Sequence, residues 1–186
     1  MKVLIIGFGS IGKRHYDVLS KLSEIRGIDL VTKQNIENKI CYKKLEVVNN
    51  INQYDYFVIA SETNKHFEQL NFLEKNVKDK LIFCEKPLFE SKQDLKIKNN
   101  RVFVGYVLRF NPLIEQLKEF VKKEKILLVN AKCGQYLPSW RLNIDYKESY
   151  SAKKEEGGGV LLDLSHELDY VQWLAGQINE IKSYQV

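Results

Sequence analysis

Cysteine is scarce and scattered. The three cysteines, Cys41, Cys84 and Cys133, lie far apart and are odd in number, and no Cys-x-x-Cys spacing occurs. That argues against a disulfide framework or a cysteine metal site and suits free thiols in a reducing compartment. Long apolar runs are missing too. No stretch approaches the length that spans a bilayer, and the apolar opening from Met1 to Ile6 is too short for a secretory leader before it meets a glycine turn. The lysine clusters at Lys43-Lys44, Lys122-Lys123 and Lys153-Lys154 are short and not interleaved with aromatics, so no nucleic-acid pattern is present. Internal repeats and low-complexity tracts are also absent. These absences point to a cytoplasmic chain with no metal, membrane or nucleic-acid partner. A formal charge of +5 gives a mildly basic surface, which favours an anionic substrate or a phosphorylated cofactor.

What remains is globular in texture. With 186 residues, 44% hydrophobic and 11% aromatic, the chain suits one domain, or one domain and a small second one. Short apolar runs at Lys2–Ile6, Ile28–Thr32, Tyr54–Ser61, Lys80–Cys84 and Arg101–Tyr106 read as buried strands, with a further short strand near Cys41. Helical periodicity is expected at Ile11–Ile25, with Ile11, Val18, Leu19, Leu22 and Ile25 facing inward, at Lys65–Asn76, and more weakly at Ser91–Lys98. This alternation specifies an α/β fold with a doubly wound parallel sheet, helices on both faces. Ligands of such sheets bind at the carboxyl ends of the strands. Beyond Tyr106 the pattern changes: a helix at Pro112–Lys123, a strand at Ile126–Gln135, a long polar and aromatic loop over Tyr136–Gly159, a helix at Val160–Ala175 and a strand at Ile178–Val186.

Gly7-Phe8-Gly9-Ser10-Ile11-Gly12 sits between the first strand and the first helix, the context that a dinucleotide fingerprint requires. Gly7 serves the tight turn, Gly9 lets the backbone approach a pyrophosphate, and Gly12 lets helix and strand pack closely. The free N–H groups of the helix start at Ser10 and Ile11 then face the phosphates. An NAD site usually carries Asp or Glu at the end of the second strand. Here the strand ends in Thr32-Lys33-Gln34, and Asp29 lies at its other end. Thr32 and Lys33 would suit a 2′-phosphate, so NADP is favoured over NAD; otherwise Lys33 is merely solvent-exposed.

Ser61-Glu62-Thr63 follows the strong third strand, and its small and hydroxyl residues suit a turn beneath the cofactor. His66 either orients that turn or packs at the start of its helix. The fourth strand ends in Glu85-Lys86-Pro87. A lysine beside a nicotinamide site can polarise the oxygen of an alcohol or ketone while hydride moves; taken alone, it reads far more simply as a surface lysine before a turn. Cys84, one residue earlier, is a conceivable reactive thiol, though its neighbours Ile82 and Phe83 read as buried. Gly157-Gly158-Gly159 opens an apolar helix carrying Asp163, His166 and Asp169. At three residues' spacing Asp163 and His166 share a face. His166 can exchange a proton near neutral pH, and Asp163 can hold a neighbouring lysine or imidazole. The bland alternative is a core helix with satisfied polar groups.

With the glycine loop, Glu85-Lys86-Pro87 and the Gly-Gly-Gly…Asp163…His166 helix in order, the chain resembles the Gfo/Idh/MocA oxidoreductases. Arg14-His15, Ser61-Glu62-Thr63…His66 and Gly105-Tyr106…Arg109-Phe110 add to the match. The resemblance implies a Rossmann domain over residues 1–108, then from 109–186 the start of an α/β domain with an open, mainly antiparallel sheet. It implies hydride transfer between a nicotinamide cofactor and a sugar, sugar derivative or nucleotide-linked sugar. Glu85 and Lys86 would border the cofactor, Lys86 would contact the reacting oxygen, His166 would move the proton, and Asp163 would position Lys86 or the substrate. Tyr136, Trp140 and Arg141 would border the substrate, with Arg141 or Arg109 binding an anionic group. The bond before Pro87 is often cis in the family.

Two departures stand out. Many members space the helix pair as Asp-x-x-x-His, whereas here it is Asp-x-x-His, which rotates the histidine by about 100°. Members also continue well past the equivalent of Val186. The chain is thus expected to be a fragment, a natural truncation, or a protein that completes its sheet by association as a homo-oligomer. A cofactor-binding module without catalysis is the alternative reading.

Overall fold

The computed structural model describes residues 1–140, 145–153 and 158–184. Six strands, β1 Lys2–Ile6, β2 Gly27–Val31, β3 Cys41–Tyr42, β4 Tyr56–Ile59, β5 Leu81–Cys84 and β6 Arg101–Val104, form one parallel sheet in the order β3-β2-β1-β4-β5-β6. The chain winds outward from β1 through β2 to β3, then returns to β4 on the other side of β1. The gap between β1 and β4 is therefore the topological switch point, where such sheets open a crevice.

The strands are apolar on both faces because helices cover both. Leu4, Ile6, Phe57, Ile59, Ile82 and Cys84 point to one side, where Leu70 and Leu73 of α2 (His66–Asn76) meet them. Val3, Ile5, Leu30 and Val58 point to the other, against Tyr16 and Leu19 of α1 (Ser10–Leu19) and Ile25 beyond it. Each such aliphatic side chain contributes roughly 1.5–3 kcal/mol on full burial. The first helix is shorter than its periodicity suggests. Leu19 and Ile25 pack inward, but Ile11 and Val18 lie on the helix's outer face and Leu22 falls beyond its end at Leu19, so all three are exposed.

Register sets the site. Ile6 pairs with Val31 and with Ile59, Ile59 with Cys84, and Cys84 with Val104. The next residues, Gly7, Thr32, Ala60, Glu85 and Gly105, therefore line up along one carboxyl edge.

Three expected elements do not form. Ser91–Lys98 is not helical. The backbone N–H groups of Lys98 and Asn99 instead donate to Glu74 Oε1 at 2.7 and 2.6 Å, while the Asn100 amide donates to Oε2 at 2.8 Å. Ile126–Gln135 is not a strand, nor are the described residues 178–184. A strand requires a partner ladder, and Leu127 and Leu128 stand 86% and 85% exposed with none. The expected antiparallel sheet is thus not formed among the described residues.

The helices after β6 are α3 (Pro112–Val121), α4 (Leu137–Trp140), α5 (Val160–Asp163) and α6 (Ser165–Ala175). The single helix expected at Val160–Ala175 is broken at Leu164, whose backbone (φ −104°, ψ 28°) leaves the helical region. Among the described residues, no helix is long and apolar enough to cross a membrane.

Candidate cofactor and active site

The glycine loop behaves as its spacing predicts. Gly7 has φ +95°, and a Cβ there would lie 2.6 Å from the Ala60 carbonyl oxygen. At Gly12 a Cβ would lie 2.1 Å from the Gly7 carbonyl oxygen, so only glycine lets α1 approach β1. Gly9 is different: a Cβ would meet nothing within 4 Å. Packing within the protein does not demand glycine there; a ligand backbone lying across it would. Gly9 caps α1 without a side-chain hydrogen bond, which leaves N–H groups at Ser10 and Ile11 for an anion.

Two cavities flank this loop and share Gly7, Phe8, Gly9, Ser61 and Glu62. One, of about 480 Å³, is lined by Ser10, Ile11, Thr63, Glu85 and Lys86 besides. The other, of about 580 Å³, reaches Thr32, Lys33, Lys43, Lys44 and Lys65. Together they form a groove across the switch point, with the glycine turn at its middle. The groove is of a size for a dinucleotide, and the helix start, Lys86 and Thr32 are the groups that would face one. Thr32 is buried and its Oγ1 accepts the Gln34 N–H at 3.2 Å. Lys33 is exposed. Lys43, which belongs to no recognisable motif, donates to the Lys33 carbonyl at 2.8 Å and to Asn35 Oδ1 at 2.6 Å. Glu46, Glu62 and Glu68 line the same cavity, so its cations are partly balanced.

His66 is buried, and its ring nitrogens lie 3.1 Å from the Pro87 carbonyl oxygen and 3.2 Å from that of Ser61. It ties together the two turns that face the cofactor and does not itself line the cavity. Ser61 donates to Gln69 Oε1 at 2.7 Å, anchoring the same turn to α2.

The Lys86–Pro87 peptide bond is cis. Lys86 Nζ donates to the backbone carbonyl of Asp163 at 2.6 Å. Burial pulls the lysine pKa down, against the pull of the Asp163, Glu85 and Glu167 carboxylates, and the net direction is below the ordinary value. His166 stands edge-on to Tyr106 at 5.7 Å, and its Nδ1 is buried without a hydrogen-bond partner. Burial lowers its pKa, and the Lys86 charge lowers it further, opposed by Glu167, Asp169 and Glu85. Asp163 is buried. The structure therefore brings Lys86, Asp163 and His166 together, but not on one helical face as the spacing implied: Asp163 ends α5 and His166 belongs to α6.

Other expectations change. Cys84 is fully buried, and burial together with Glu85 pushes its thiol up to about 12, which removes it as a nucleophile. Arg109 is not a free anion site. It donates from Nε and a terminal nitrogen to both oxygens of Asp169 at 2.8 and 2.5 Å, clamping the turn after β6 to α6. Tyr136 is exposed, Trp140 ends α4, and Arg141 lies outside the described residues. Two further polar groups stand near the site, in places that residue spacing alone does not reveal. His15 approaches Glu85 at 2.7 Å, and Glu167, the neighbour of His166 in the chain, acts electrostatically on both Lys86 and His166.

A parallel sheet with a glycine turn and a dinucleotide-sized groove at its switch point defines a nicotinamide-dinucleotide-binding Rossmann domain. Residues 1–105 match the oxidoreductase family with an NAD-binding Rossmann fold, and the chain belongs to that family, Gfo/Idh/MocA. It is 29% identical over 133 residues to 2,7-anhydro-N-acetylneuraminate hydratase of Escherichia coli K12, and 31% identical over 137 residues to an uncharacterized oxidoreductase of Streptococcus pneumoniae serotype 4. These matches take in 68% and 69% of the chain but 35% and 36% of the relatives, so the chain spans about a third of their length. Its fold is shared with the WlbA dehydrogenase from Bordetella pertussis, solved with NADH and UDP-GlcNAcA (TM-score 0.72, 17% identity, 94% of this chain and 58% of that one). It is shared equally with the transcriptional regulator Gal80p from Kluyveromyces lactis (TM-score 0.69, 16% identity, 94% and 50%).

Proposed function

We propose that the chain is the cofactor-binding and catalytic-lysine portion of an oxidoreductase that acts on a hydroxyl or ketone of a sugar derivative, with NADP preferred to NAD. The observation that supports this reading is the Lys86 ammonium, which lines the same cavity as the glycine loop, half-buried and held at 2.6 Å by the Asp163 carbonyl. The cofactor supplies or accepts the hydride. Lys86 stabilises the negative charge that develops on the substrate oxygen, where low dielectric makes a fixed cation most effective. His166, with its depressed pKa, is available as a neutral base and exchanges the alcohol proton. Asp163 fixes Lys86 through its carbonyl and holds it charged through its carboxylate. The sugar class is supported by the names of two relatives, one a neuraminate-derivative enzyme and one solved with a nucleotide-linked sugar acid. The NADP preference rests on Lys33 with Thr32 and the neighbouring lysines of the adenosine-side cavity.

A second reading is a cofactor-binding module without turnover. It is favoured by the likeness in fold to a transcriptional regulator, since fold alone does not carry catalysis. The test purifies the 186-residue chain and follows nicotinamide absorbance with a panel of sugar derivatives, alongside cofactor binding. Turnover that is lost by several orders of magnitude in Lys86→Ala, with cofactor binding kept, supports the enzyme. Cofactor binding with no turnover from the unaltered chain favours the module, and unchanged turnover in Lys86→Ala removes the lysine from the mechanism.

A further inference from the structure

We infer that His15, on α1, is a positioning residue for Lys86 that acts through Glu85; the inference rests on the reading of Lys86 as the cation at the reacting oxygen. His15 Nε2 lies 2.7 Å from Glu85 Oε1, with the two side chains only 24% and 18% exposed. That burial separates the pair from surface ion pairs, which contribute little. The imidazole is fixed edge-on to Phe83 with ring centroids 5.1 Å apart. The second carboxylate oxygen of Glu85 accepts the backbone N–H of Lys86 at 3.3 Å. On its remaining side stands Gly105, where a Cβ would lie 2.9 Å from that oxygen and 3.3 Å from Glu85 Cα. One oxygen is thus held by the first helix, and the other is confined between the Lys86 backbone and the end of β6.

The consequence reaches the ammonium. Burial works to discharge Lys86, and the Glu85 carboxylate is among the groups that oppose it. That opposition depends on where the carboxylate points. Without a partner on Oε1, the Glu85 carboxylate is no longer held in this position, and its place relative to Lys86 is no longer fixed. His15 therefore acts on the charge of Lys86 through Glu85, without lining that groove itself. A purely structural role, tying α1 to the end of β5, would alter the melting temperature and nothing else.

The test compares His15→Phe, which keeps a ring against Phe83 but removes the nitrogen, with His15→Gln, which restores a donor, and with Glu85→Gln. The titration of the Lys86 amine is followed in cofactor-free protein by NMR of ¹³C-methylated lysines, assigned with Lys86→Arg. The amine is expected to titrate at lower pH in His15→Phe and Glu85→Gln than in the unaltered chain, and close to the unaltered value in His15→Gln. In turnover, His15→Phe is expected to lower kcat by about tenfold to a hundredfold with the cofactor KM unchanged, and His15→Gln to recover most of it. A Lys86 titration unmoved by His15→Phe overturns the inference, whatever the turnover. If His15→Phe does not fold, His15→Ala against His15→Gln decides in its place: a titration lowered in His15→Ala and restored in His15→Gln supports the coupling, and one unmoved in both overturns it. Absence of turnover in the unaltered chain overturns the hydride-transfer reading instead, and the titration still decides the coupling.

Discussion

The ammonium of Lys86 is bonded to the backbone carbonyl of Asp163, 77 residues away, at 2.6 Å. That carbonyl is available because the helix breaks after it. At Leu164 the backbone leaves the helical region, and the Glu167 N–H turns to the Leu164 carbonyl, so Asp163 has no successor in the ladder to serve. Asp163 thereby contributes in two separable ways: its carbonyl fixes where the lysine points, and its carboxylate favours the lysine's charged form.

This separation sets a pH prediction. The proposed hydride transfer needs Lys86 charged and, for alcohol oxidation, His166 neutral. Both pKa values lie below their ordinary values of 10.5 and 6.5. The acid limb of kcat/KM is therefore expected below pH 6.5 and the alkaline limb below pH 10.5. Asp163→Asn keeps the carbonyl bond but removes the charge, so it shifts the alkaline limb to lower pH while leaving cofactor affinity alone. An alkaline limb that does not move would show that the carboxylate has no hold on Lys86.

The glycines separate stability from binding. In Gly12→Ala the new Cβ meets the Gly7 carbonyl at 2.1 Å, forcing α1 off β1. A loss of roughly 1–3 kcal/mol and of cofactor binding is expected. In Gly9→Ala the Cβ enters open space, so the melting temperature should hold while cofactor binding is lost. Thermal melts with and without cofactor read both outcomes.

Cofactor choice has its own test. Lys33→Ala is expected to raise the Kd for NADPH by about tenfold, the scale of one charge-assisted hydrogen bond, and to leave NADH unchanged. Equal affinities in the unaltered chain, or tighter NADH, would remove the preference.

Glu74 anchors the segment before β6. Burial acts to raise its pKa, but the Lys98 N–H, the Asn100 amide and the Asn99 N–H outweigh it and hold it below the ordinary 4.5. The stability it contributes is present above the unfolded value and is lost as pH falls through the lower folded one. Glu74→Ala strands two N–H groups and is expected to cost roughly 1–3 kcal/mol. Chemical denaturation at neutral pH and at about pH 3 checks this, since the difference between variant and unaltered chain should shrink in acid.

The Rossmann half was legible because its signals are local. A strand buried on both faces must be apolar throughout, a turn at φ +95° selects glycine at Gly7, and a helix packed at backbone contact selects it at Gly12. Cofactor-side residues at the strand ends follow from the parallel register. The periodicity of Ile11–Ile25 misled because three of its apolar residues lie past or outside the helix's inward stripe. The ion pair of Arg109 was not legible because its partner Asp169 is 60 residues away.

From the sequence alone come the alternation of strands and helices, the glycine loop and the place of Lys86 just past the end of its strand, since each is written in residues a few positions apart. Tertiary structure alone decided that Lys86 meets the carbonyl of Asp163, that His15 holds Glu85, and that Ile126–Gln135 stays out of any sheet among the described residues. Those outcomes depend on which distant group fills a hydrogen bond or a ladder. Such a partner is chosen by the packed chain as a whole, and no local pattern of residue types encodes it.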